Sequence, residues 1–450
     1  MNTLDIAERA AKRAGPGALA LVTRERSLML RFAASRPTQS TGIDDVTVEI
    51  AVPKRGNVGR ASTNEVDDDS LADCAARARF AAEAAEATHD GSFPGFEPDR
   101  DVAPVEASDP ATAELDPAGG GAALADAFVE ADAHGVEAHG IWTVAEQDQA
   151  WATEDGGAQE ARTDAFMKVI CIASNGRSGY ASDAAVAVGQ LSAGALAERA
   201  ALKATRGGEP VELPPGEYTV VFEPQAVGWL LDLLGETAFN GLAHAEGRGA
   251  LAGRIGELVA APAINVSDSP TSARTLPRSF DAEGTRKAPV PLLQDGVAYG
   301  VAHDVRSAAV AGAVSTGHAL APGGDPSGPH PTNLVLAGGG AADEGELCAA
   351  VERGIYVTRL WYANVVRPKE TLITAVTRDG TFLIEDGEVT RPLRDLRLTD
   401  SVLSILSRAQ ALTRDQKLTS DGEFYGRRFA YGVVCPAMRA DAVRFTGATG

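Results

Sequence analysis

The chain has 450 residues, of which 44% are hydrophobic and 23% charged, proportions that are ordinary for a globular protein and that exclude a wholly disordered chain. Its 62 acidic and 41 basic residues give a net charge of -21, which would repel a phosphate backbone and argues against direct nucleic-acid binding through a broad basic face. The length allows large cores and predicts two or three domains.

The first part of the chain alternates helical and extended patterns. Helices are predicted over 3–14, 71–88, 122–133 and 195–204. Strands are predicted over 18–22, 27–32, 46–52, 140–144 and 166–173. Residues 90–117 are rich in Pro, Asp and Glu with little periodicity, so they form a loop or a wrapping arm.

A break in composition follows at 207–216, where Gly and Pro are frequent. The pair Pro214-Pro215 stiffens this connection and prevents a helix from continuing through it. We therefore divide the chain near residue 212, into an N-terminal α/β domain (1–212) and a C-terminal domain (213–450).

Strands dominate the second part. They are predicted over 218–222, 292–299, 355–360, 372–377 and 381–384. Helices are predicted over 225–240, 343–353 and 401–411. Asp295-Gly296 and Asp379-Gly380 each lie between two extended runs, and Asp-Gly is a strong hairpin signal. The fold class predicted is α+β, with a C-terminal domain dominated by antiparallel sheet and containing few helices.

Several segments of the second part resemble the TldD/PmbA family of peptidases and peptidase partners, over roughly 215 to 447. These segments are 228–237, 280–284, 315–318, 331–334 and 383–388. In the catalytic branch of that family, the helix corresponding to 225–240 carries His-Glu-x-x-x-His, whose imidazoles bind zinc and whose carboxylate activates water. Aligned on the shared Gly and Leu-Leu, those three positions fall on Asp232, Leu233 and Thr237.

These residues cannot form a zinc site, because a catalytic zinc needs about three protein ligands and an open position for water. None of the seven histidines is followed by glutamate, so a substitute His-Glu-x-x-His motif is absent from the sequence. The third family ligand is a cysteine, and the matching stretch Asp421-Gly422-Glu423-Phe424 has none. Cys435 lies nearby and is expected to be buried and structural.

Two other groups of acidic and histidine residues do not predict a metal site. His134 and His139 are separated by Gly135, which would break a helix holding both on one face. Asp232 and Glu236 share a helix face, but oxygen ligands alone suit Ca²⁺ or Mg²⁺, which usually need more of them. A solvated face or a partner contact is the alternative. No metal and no other cofactor is therefore expected in this chain.

The resemblance also points to candidate residues around a substrate cleft. Asp281, Glu283 and Gly284 fall in the family's Asp-x-Glu-Gly stretch, where a structural loop network is an equal alternative to a cleft role. The loop segments near the same cleft supply three polar side chains and one imidazole that could contact a peptide: Ser315, Thr316, His318 and Asn333.

The resemblance implies a PmbA-like (TldE-like), zinc-free subunit that pairs with a zinc-bearing TldD-like metallopeptidase and shapes a chamber for short or unfolded peptides. Two alternatives stay open: an active metallopeptidase with an atypical site, and a self-associating peptide-binding or scaffold protein. Four scattered cysteines, a charged N-terminal segment and the absence of any apolar run near 20 residues predict a soluble, cytoplasmic protein without a membrane partner.

Overall fold

The computed structural model describes residues 2–87, 91–420 and 428–448. In the first part of the chain the helices are α1 (Thr3–Ala14), α2 (Asp68–Glu86), α3 (Pro110–Ala113), α4 (Pro117–Ala133) and α5 (Ala193–Ala204). The strands are β1 (Leu19–Ala33), β2 (Arg36–Lys54), β3 (Asn57–Thr63), β4 (Val136–Thr153), β5 (Gly156–Ala173) and β6 (Ser178–Ala185). A short 3-10 helix covers Val188–Gln190.

These six strands form one antiparallel sheet in the order β3-β2-β1-β4-β5-β6. The runs predicted separately at 18–22 and 27–32 belong to one long strand, because β1 stays paired with both β2 and β4 along its length. Alanine-rich helices cover one face, and α1 buries Ile6, Ala7, Ala10 and Ala11 at helical spacing. Small side chains let these helices lie close to the strands.

The second part of the chain supplies five helices and thirteen strands within the described residues. The helices are α6 (Pro224–Thr237), α7 (Gly241–Ala245), α8 (Val305–Ala311), α9 (Glu344–Ala349) and α10 (Val402–Ser407), with a 3-10 helix at Pro368–Glu370. The strands are β7 (Gly216–Phe222), β8 (Val266–Asp268), β9 (Val290–Gln294), β10 (Val297–Ala298), β11 (Leu334–Leu336), β12 (Arg353–Arg367), β13 (Leu372–Glu385), β14 (Glu388–Pro392), β15 (Leu396–Ser401), β16 (Ala409–Leu412), β17 (Lys417–Thr419), β18 (Val433–Cys435) and β19 (Met438–Ala448).

These strands build two sheets that enclose the largest core. One has the order β10-β9-β8-β11-β18-β17, and the other has the order β12-β7-β19-β15-β13-β14 with β16 beside β19. In the second of these sheets β12 also pairs with β13, so the strands close into a ring of five, namely β12, β7, β19, β15 and β13. Most pairings are antiparallel, and helix α6 buries Val227, Leu230 and Leu234 in the core. The architecture is α+β, as the sequence predicted.

Three predicted elements of this half differ from the structure. Asp379-Gly380 makes no hairpin, because β13 runs through it with a register shift against β12 while Asp379 bonds the buried Arg359. The helix predicted over 343–353 ends at Ala349, since Arg353 already pairs in β12. The helix predicted over 401–411 is only α10, because Ala409–Leu412 pairs with β19 as a strand.

The face of the first sheet that the helices leave uncovered packs against the second half of the chain. Trp151 meets Phe280 edge to face, with ring centroids 6.5 Å apart. Arg428 forms a buried ion pair with Asp164. The Pro-rich and acidic segment is a wrapping arm, since the Asp99 backbone N–H donates to the carbonyl of Gly284 at 3.0 Å. No helix in the described part of the chain is long and apolar enough to cross a membrane.

Candidate functional site

Helix α6 carries the three positions at which the catalytic family branch has its zinc motif. The Asp232 side chain is 25% exposed, whereas Leu233 and Thr237 are only 8% and 2% exposed as residues. Leu233 packs in the hydrophobic core. The Thr237 hydroxyl donates a hydrogen bond to the carbonyl of Leu233, 2.7 Å away on the same helix. Of the three, only Asp232 presents a polar group beyond the helix.

Asp232 contacts two side chains from distant parts of the sequence. The Nε2 atom of His330 lies 3.2 Å from one carboxylate oxygen, and the Tyr431 hydroxyl donates to the other at 3.4 Å. The rings of His330 and Tyr431 pack edge to face with centroids 5.8 Å apart. We name Asp232, His330 and Tyr431 the α6 triad.

Gly235 lets the imidazole of His330 lie against helix α6. A Cβ atom at Gly235 would come within 2.5 Å of the His330 ring, which is closer than non-bonded atoms pack. The glycine is therefore required by a close approach. The family motif has an undefined residue at this position, so the sequence alone gave no sign of the contact.

The α6 residues do not fit a zinc ion. A leucine and a hydrogen-bonded threonine supply no ligand, which leaves Asp232 and at most His330. Within 2–87, 91–420 and 428–448, no group of three or more His, Cys, Asp or Glu side chains is arranged to hold a metal. The stretch Asp421-Gly422-Glu423-Phe424, which matches the family's cysteine segment, lies outside the described residues. No reaction step through zinc follows from these residues.

A small cavity lies behind His330, with a volume of about 20 Å³. Its walls combine aromatic, aliphatic and charged side chains, namely Gln149, Arg278, Phe280, Asp281, Ala282, Lys287, His318, Ala319, Leu320, His330, Thr332 and Phe429. This space is sufficient for about one water molecule. The cavity connects the α6 triad with a buried polar network.

Asp268, the last residue of β8, is the centre of that network. It accepts hydrogen bonds from the backbone N–H of Asn333 at 2.7 Å and from Nε2 of His318 at 2.9 Å. The ammonium of Lys287 lies 3.9 Å from the same carboxylate and donates to the carbonyl of Gly317 at 2.9 Å. Burial alone would raise the pKa of Asp268, but Lys287 and His318 together hold it well below its ordinary value. Asp268 is therefore ionised.

The Asp281 loop forms a second part of this buried polar network. The Asp281 carboxylate accepts backbone hydrogen bonds from Glu283, Thr285 and Ala319 at 2.8–3.0 Å. Burial raises the pKa of Asp281 to about 6, although these donors favour its ionised form. Burial, followed by the nearby Asp281, raises the pKa of Glu283 well above its ordinary value. Glu283 accepts from the Val305 backbone at 2.9 Å through one oxygen, and its other oxygen has no hydrogen-bond partner within the described ranges.

Gly284 completes this loop with φ +74°, a left-handed conformation that favours glycine. A Cβ atom there would lie 2.7 Å from the Pro98 side chain and from the Trp151 ring. The turn therefore joins the wrapping arm, the first sheet and the Asp281 loop at one point.

The remaining candidates lie on the segment after α8. The Thr316 hydroxyl contacts Nδ1 of His318 at 2.9 Å and the carbonyl of His303 at 3.1 Å. Ser315 donates to that same carbonyl at 3.3 Å. The amide nitrogen of Asn333 donates to the Thr275 hydroxyl and the Leu276 carbonyl. Ser315 and Thr316 are half-buried, so they are more accessible than His318 and Asn333.

The structure thus brings the cleft candidates close together, but most of their side chains are buried and contact other residues of the chain instead of solvent. Asp281, Glu283, His318 and Asn333 are at most 6% exposed. Their contact with substrate stays a prediction. Sequence reasoning did not point to Asp268, Lys287 or Tyr431, whereas His330 begins the loop segment 330–333 that the family resemblance placed near the cleft. Asp268 contacts His318 across 50 residues of chain and Tyr431 contacts Asp232 across 199, so no local spacing could have shown these contacts.

The cysteine, histidine and glutamate residues outside the cleft candidates take ordinary structural positions. Cys435 is fully buried in β18, where its thiol contacts the carbonyl of Pro224 at 3.2 Å. His134 ends helix α4, and His139 lies on β4. Glu236 is exposed on α6. The structural expectation for Cys435 is confirmed.

Comparison with known proteins adds family matches in both halves of the chain. Residues 215–447 match the model of the PmbA/TldA metallopeptidase C-terminal domain, and residues 18–82 match PmbA/TldA metallopeptidase domain 1. A metalloprotease of Methanothermobacter thermautotrophicus is 28% identical over 50% of this chain and 48% of its own length. A metalloprotease TldD homolog of Haemophilus influenzae is 26% identical over 61% and 57%. The chain spans about half the length of these curated relatives.

Solved structures share the fold over nearly the whole chain. TldE from Thermococcus kodakarensis superposes with a TM-score of 0.84 at 19% identity, covering 98% of this chain and 99% of its own. A proposed modulator of a DNA gyrase from Thermotoga maritima gives 0.83 at 20% identity, with the same coverage. At these identities the likeness establishes the fold alone.

Proposed function

Because the chain belongs to the PmbA/TldA metallopeptidase family, we propose that it is a non-catalytic, TldE-like subunit that pairs with a zinc-bearing TldD-like metallopeptidase. The observation that carries this proposal is the set of residues at the zinc-motif positions of α6. They are a partly exposed aspartate, a leucine in the hydrophobic core and a threonine whose hydroxyl bonds a carbonyl of the same helix. The partner would supply the zinc and the activated water. This chain would supply structure around the peptide.

The α6 triad is the surface that supports a role in peptide handling. The carboxylate of Asp232 is an acceptor held by two long hydrogen bonds, so it can exchange them for donors of a bound peptide. An extended peptide offers backbone N–H groups, and the half-buried rings of Phe429 and Tyr431 offer apolar contact. Short or unfolded peptides are therefore the substrate class that we propose.

The buried polar network supports the same role in a different way. Asp268, Lys287 and His318 satisfy one another beneath the cavity, so they hold the loops that carry His330 and Thr316 in fixed positions. A rigid wall of this kind would shape the peptide chamber without reacting. For the location we propose the cytoplasm, since the four cysteines are all buried thiols without disulfides.

The decisive experiment is co-expression with a TldD-like protein from the same genome. Each chain alone and the purified pair would be incubated with an unstructured peptide, with and without a chelator. We expect cleavage only when the partner is present, and loss of cleavage when the Glu of the partner's zinc motif is replaced by Gln. The same substitution leaves complex formation intact and so separates assembly from catalysis.

Two results would replace this proposal. Chelator-sensitive cleavage by this chain alone would identify an active metallopeptidase with an atypical site. A defined homo-oligomer that does not bind the TldD-like protein, measured by sedimentation with and without it, would identify a self-associating protein outside the heteromeric system.

A further inference from the structure

A wide groove that contains no residue of α6 lies where strands of the second half of the chain meet Arg177 of the first half. Its floor is formed by neighbouring strands, since Trp361 of β12 pairs with Val376 of β13, which pairs with Arg397 of β15. Arg177 and the segment 208–210 line one side. The volume is about 1050 Å³. We name it the arginine groove, after Arg177, Arg378, Arg394 and Arg397.

Two aromatic side chains are held at the edge of this groove. A register shift of β12 against β13 falls between Trp361 and Asn364, and Tyr362 within it has φ +47°. This left-handed conformation is strained for a residue with a side chain. It leaves Tyr362 73% exposed and edge-on to Trp361, with ring centroids 5.4 Å apart. The guanidinium of Arg359 lies 4.9 Å from the Trp361 ring centroid and fixes that ring from behind.

The groove has more positive than negative side chains in its lining. Arg177, Arg394 and Arg397 form no ion pair with a carboxylate anywhere in the described ranges. Arg177 instead donates to the carbonyls of Arg206 and Gly208, and its buried Nε atom has no hydrogen-bond partner among the residues that the structure describes. The lining contains four arginines and only two acids, Glu209 and Asp395. This local excess contrasts with the chain's net charge of -21.

We propose that the arginine groove binds an acidic peptide segment of a partner protein, whose carboxylates pair with Arg394, Arg397 and Arg177 and whose apolar side chain packs on Tyr362 and Trp361. Arginine, tyrosine and tryptophan are the residue types that dominate binding energy at protein interfaces. Guanidinium groups also match carboxylates in bidentate geometry. The proposal is independent of the role of α6.

The charge distribution favours a short acidic peptide over a nucleic acid. At physiological salt an exposed charge is felt over about 8 Å, so a short segment within the groove responds mainly to its arginines. A polyphosphate backbone would extend beyond the groove across a surface with excess negative charge. Charge complementarity therefore favours a ligand that has a few carboxylates close together.

The test measures fluorescence anisotropy of a labelled peptide in which Asp and Glu alternate with Phe, added to the full-length chain. We expect the Arg394→Gln/Arg397→Gln variant to weaken binding at least about tenfold, because two charged hydrogen-bonding groups are lost. The control Arg31→Gln/Arg36→Gln makes the same change in net charge on the exposed β1–β2 hairpin and should alter binding by less than about twofold. A peptide with Asn and Gln in place of its acids should not bind.

Tyr362→Gly separates the aromatic contact from the fold. Glycine adopts φ +47° without strain, so the melting temperature should be unchanged or higher while peptide binding weakens. The proposal is overturned if the acidic peptide does not bind, or if the hairpin control weakens it as much as the groove variant does. It is also overturned if a single-stranded oligonucleotide binds in its place, or if the groove variant dissociates a homo-oligomer instead.

Discussion

The exposed side of α6 and the polar network buried behind it lie on two sides of one small cavity, but they are held in different ways. Asp232 is half-exposed and has contacts of 3.2 and 3.4 Å. Asp268 is fully buried and accepts bonds of 2.7 and 2.9 Å beside a lysine. We therefore expect the buried network to contribute to the stability of the fold, and Asp232 on α6 to be replaceable at little cost.

The largest expected effect comes from Asp268→Ala, which leaves the buried ammonium of Lys287 without its ionic partner. We expect the free energy of unfolding in urea to fall by about 3–5 kcal/mol. The control Glu257→Ala removes a carboxylate that pairs with Arg254 at the surface and should change it by only about 0–0.5 kcal/mol. Equal effects of the two substitutions would show that the network does not support the fold.

A smaller loss of unfolding free energy is expected for Gly284→Ala in the Asp281 loop. Its matched control is Gly253→Ala, which has the same φ of +74° but no neighbour within 4 Å of the added Cβ in the described part of the chain. The control should cost about 1 kcal/mol for backbone strain, and Gly284→Ala about 2–3 kcal/mol because the methyl group also meets Pro98 and Trp151. Urea unfolding of both variants measures the difference, which should vanish if the wrapping arm is not packed there.

The pH dependence of stability tests the buried acids. The folded chain keeps a proton on Glu283 that the unfolded chain releases, so this group destabilises the fold as pH rises above 4.5, its ordinary pKa. Glu283→Gln stays neutral. We expect its melting temperature to match the parent's near pH 4 and to exceed it increasingly as the pH rises above 4.5. An advantage that shrinks as pH rises would contradict the burial of this carboxyl group.

The smallest effect is expected on α6 itself. Asp232→Asn should lower the free energy of unfolding by less than about 1 kcal/mol, because its contacts with His330 and Tyr431 are long and half-exposed. The measurement is again urea unfolding. A loss of unfolding free energy as large as that of Asp268→Ala would show that Asp232 supports the fold as strongly as the buried network does.

Local signals were sufficient for part of the fold. Helix α1 was predicted with its observed bounds, because its apolar residues recur at helical spacing and Gly15-Pro16-Gly17 follows it. The Asp295-Gly296 hairpin is likewise confirmed by the pairing of Val297 with Gln294. The same dipeptide at Asp379-Gly380 gave a wrong prediction, since a bond to the distant Arg359 decides its conformation. Tertiary contacts overrode the local preference there.

The residues of the candidate site were likewise only partly predictable from the sequence. The resemblance to the family located Asp232, the Asp281 loop and His318, because those residues lie in contiguous motifs. His330 and Tyr431 reach Asp232 across 98 and 199 residues of chain, and only the folded structure brings them together. The burial of Asn333 was equally invisible, whereas for Asp281 and Glu283 the sequence left a structural loop network and a cleft role as equal alternatives.

The metal content of the purified chain tests most directly whether α6 has lost zinc chemistry. The chain would be expressed with zinc in the medium, dialysed without chelator and measured by inductively coupled plasma mass spectrometry. We predict substoichiometric zinc that is the same in the parent and in Asp232→Ala. Stoichiometric, tightly held zinc that is lost in Asp232→Ala would contradict the assignment of this chain as a non-catalytic subunit.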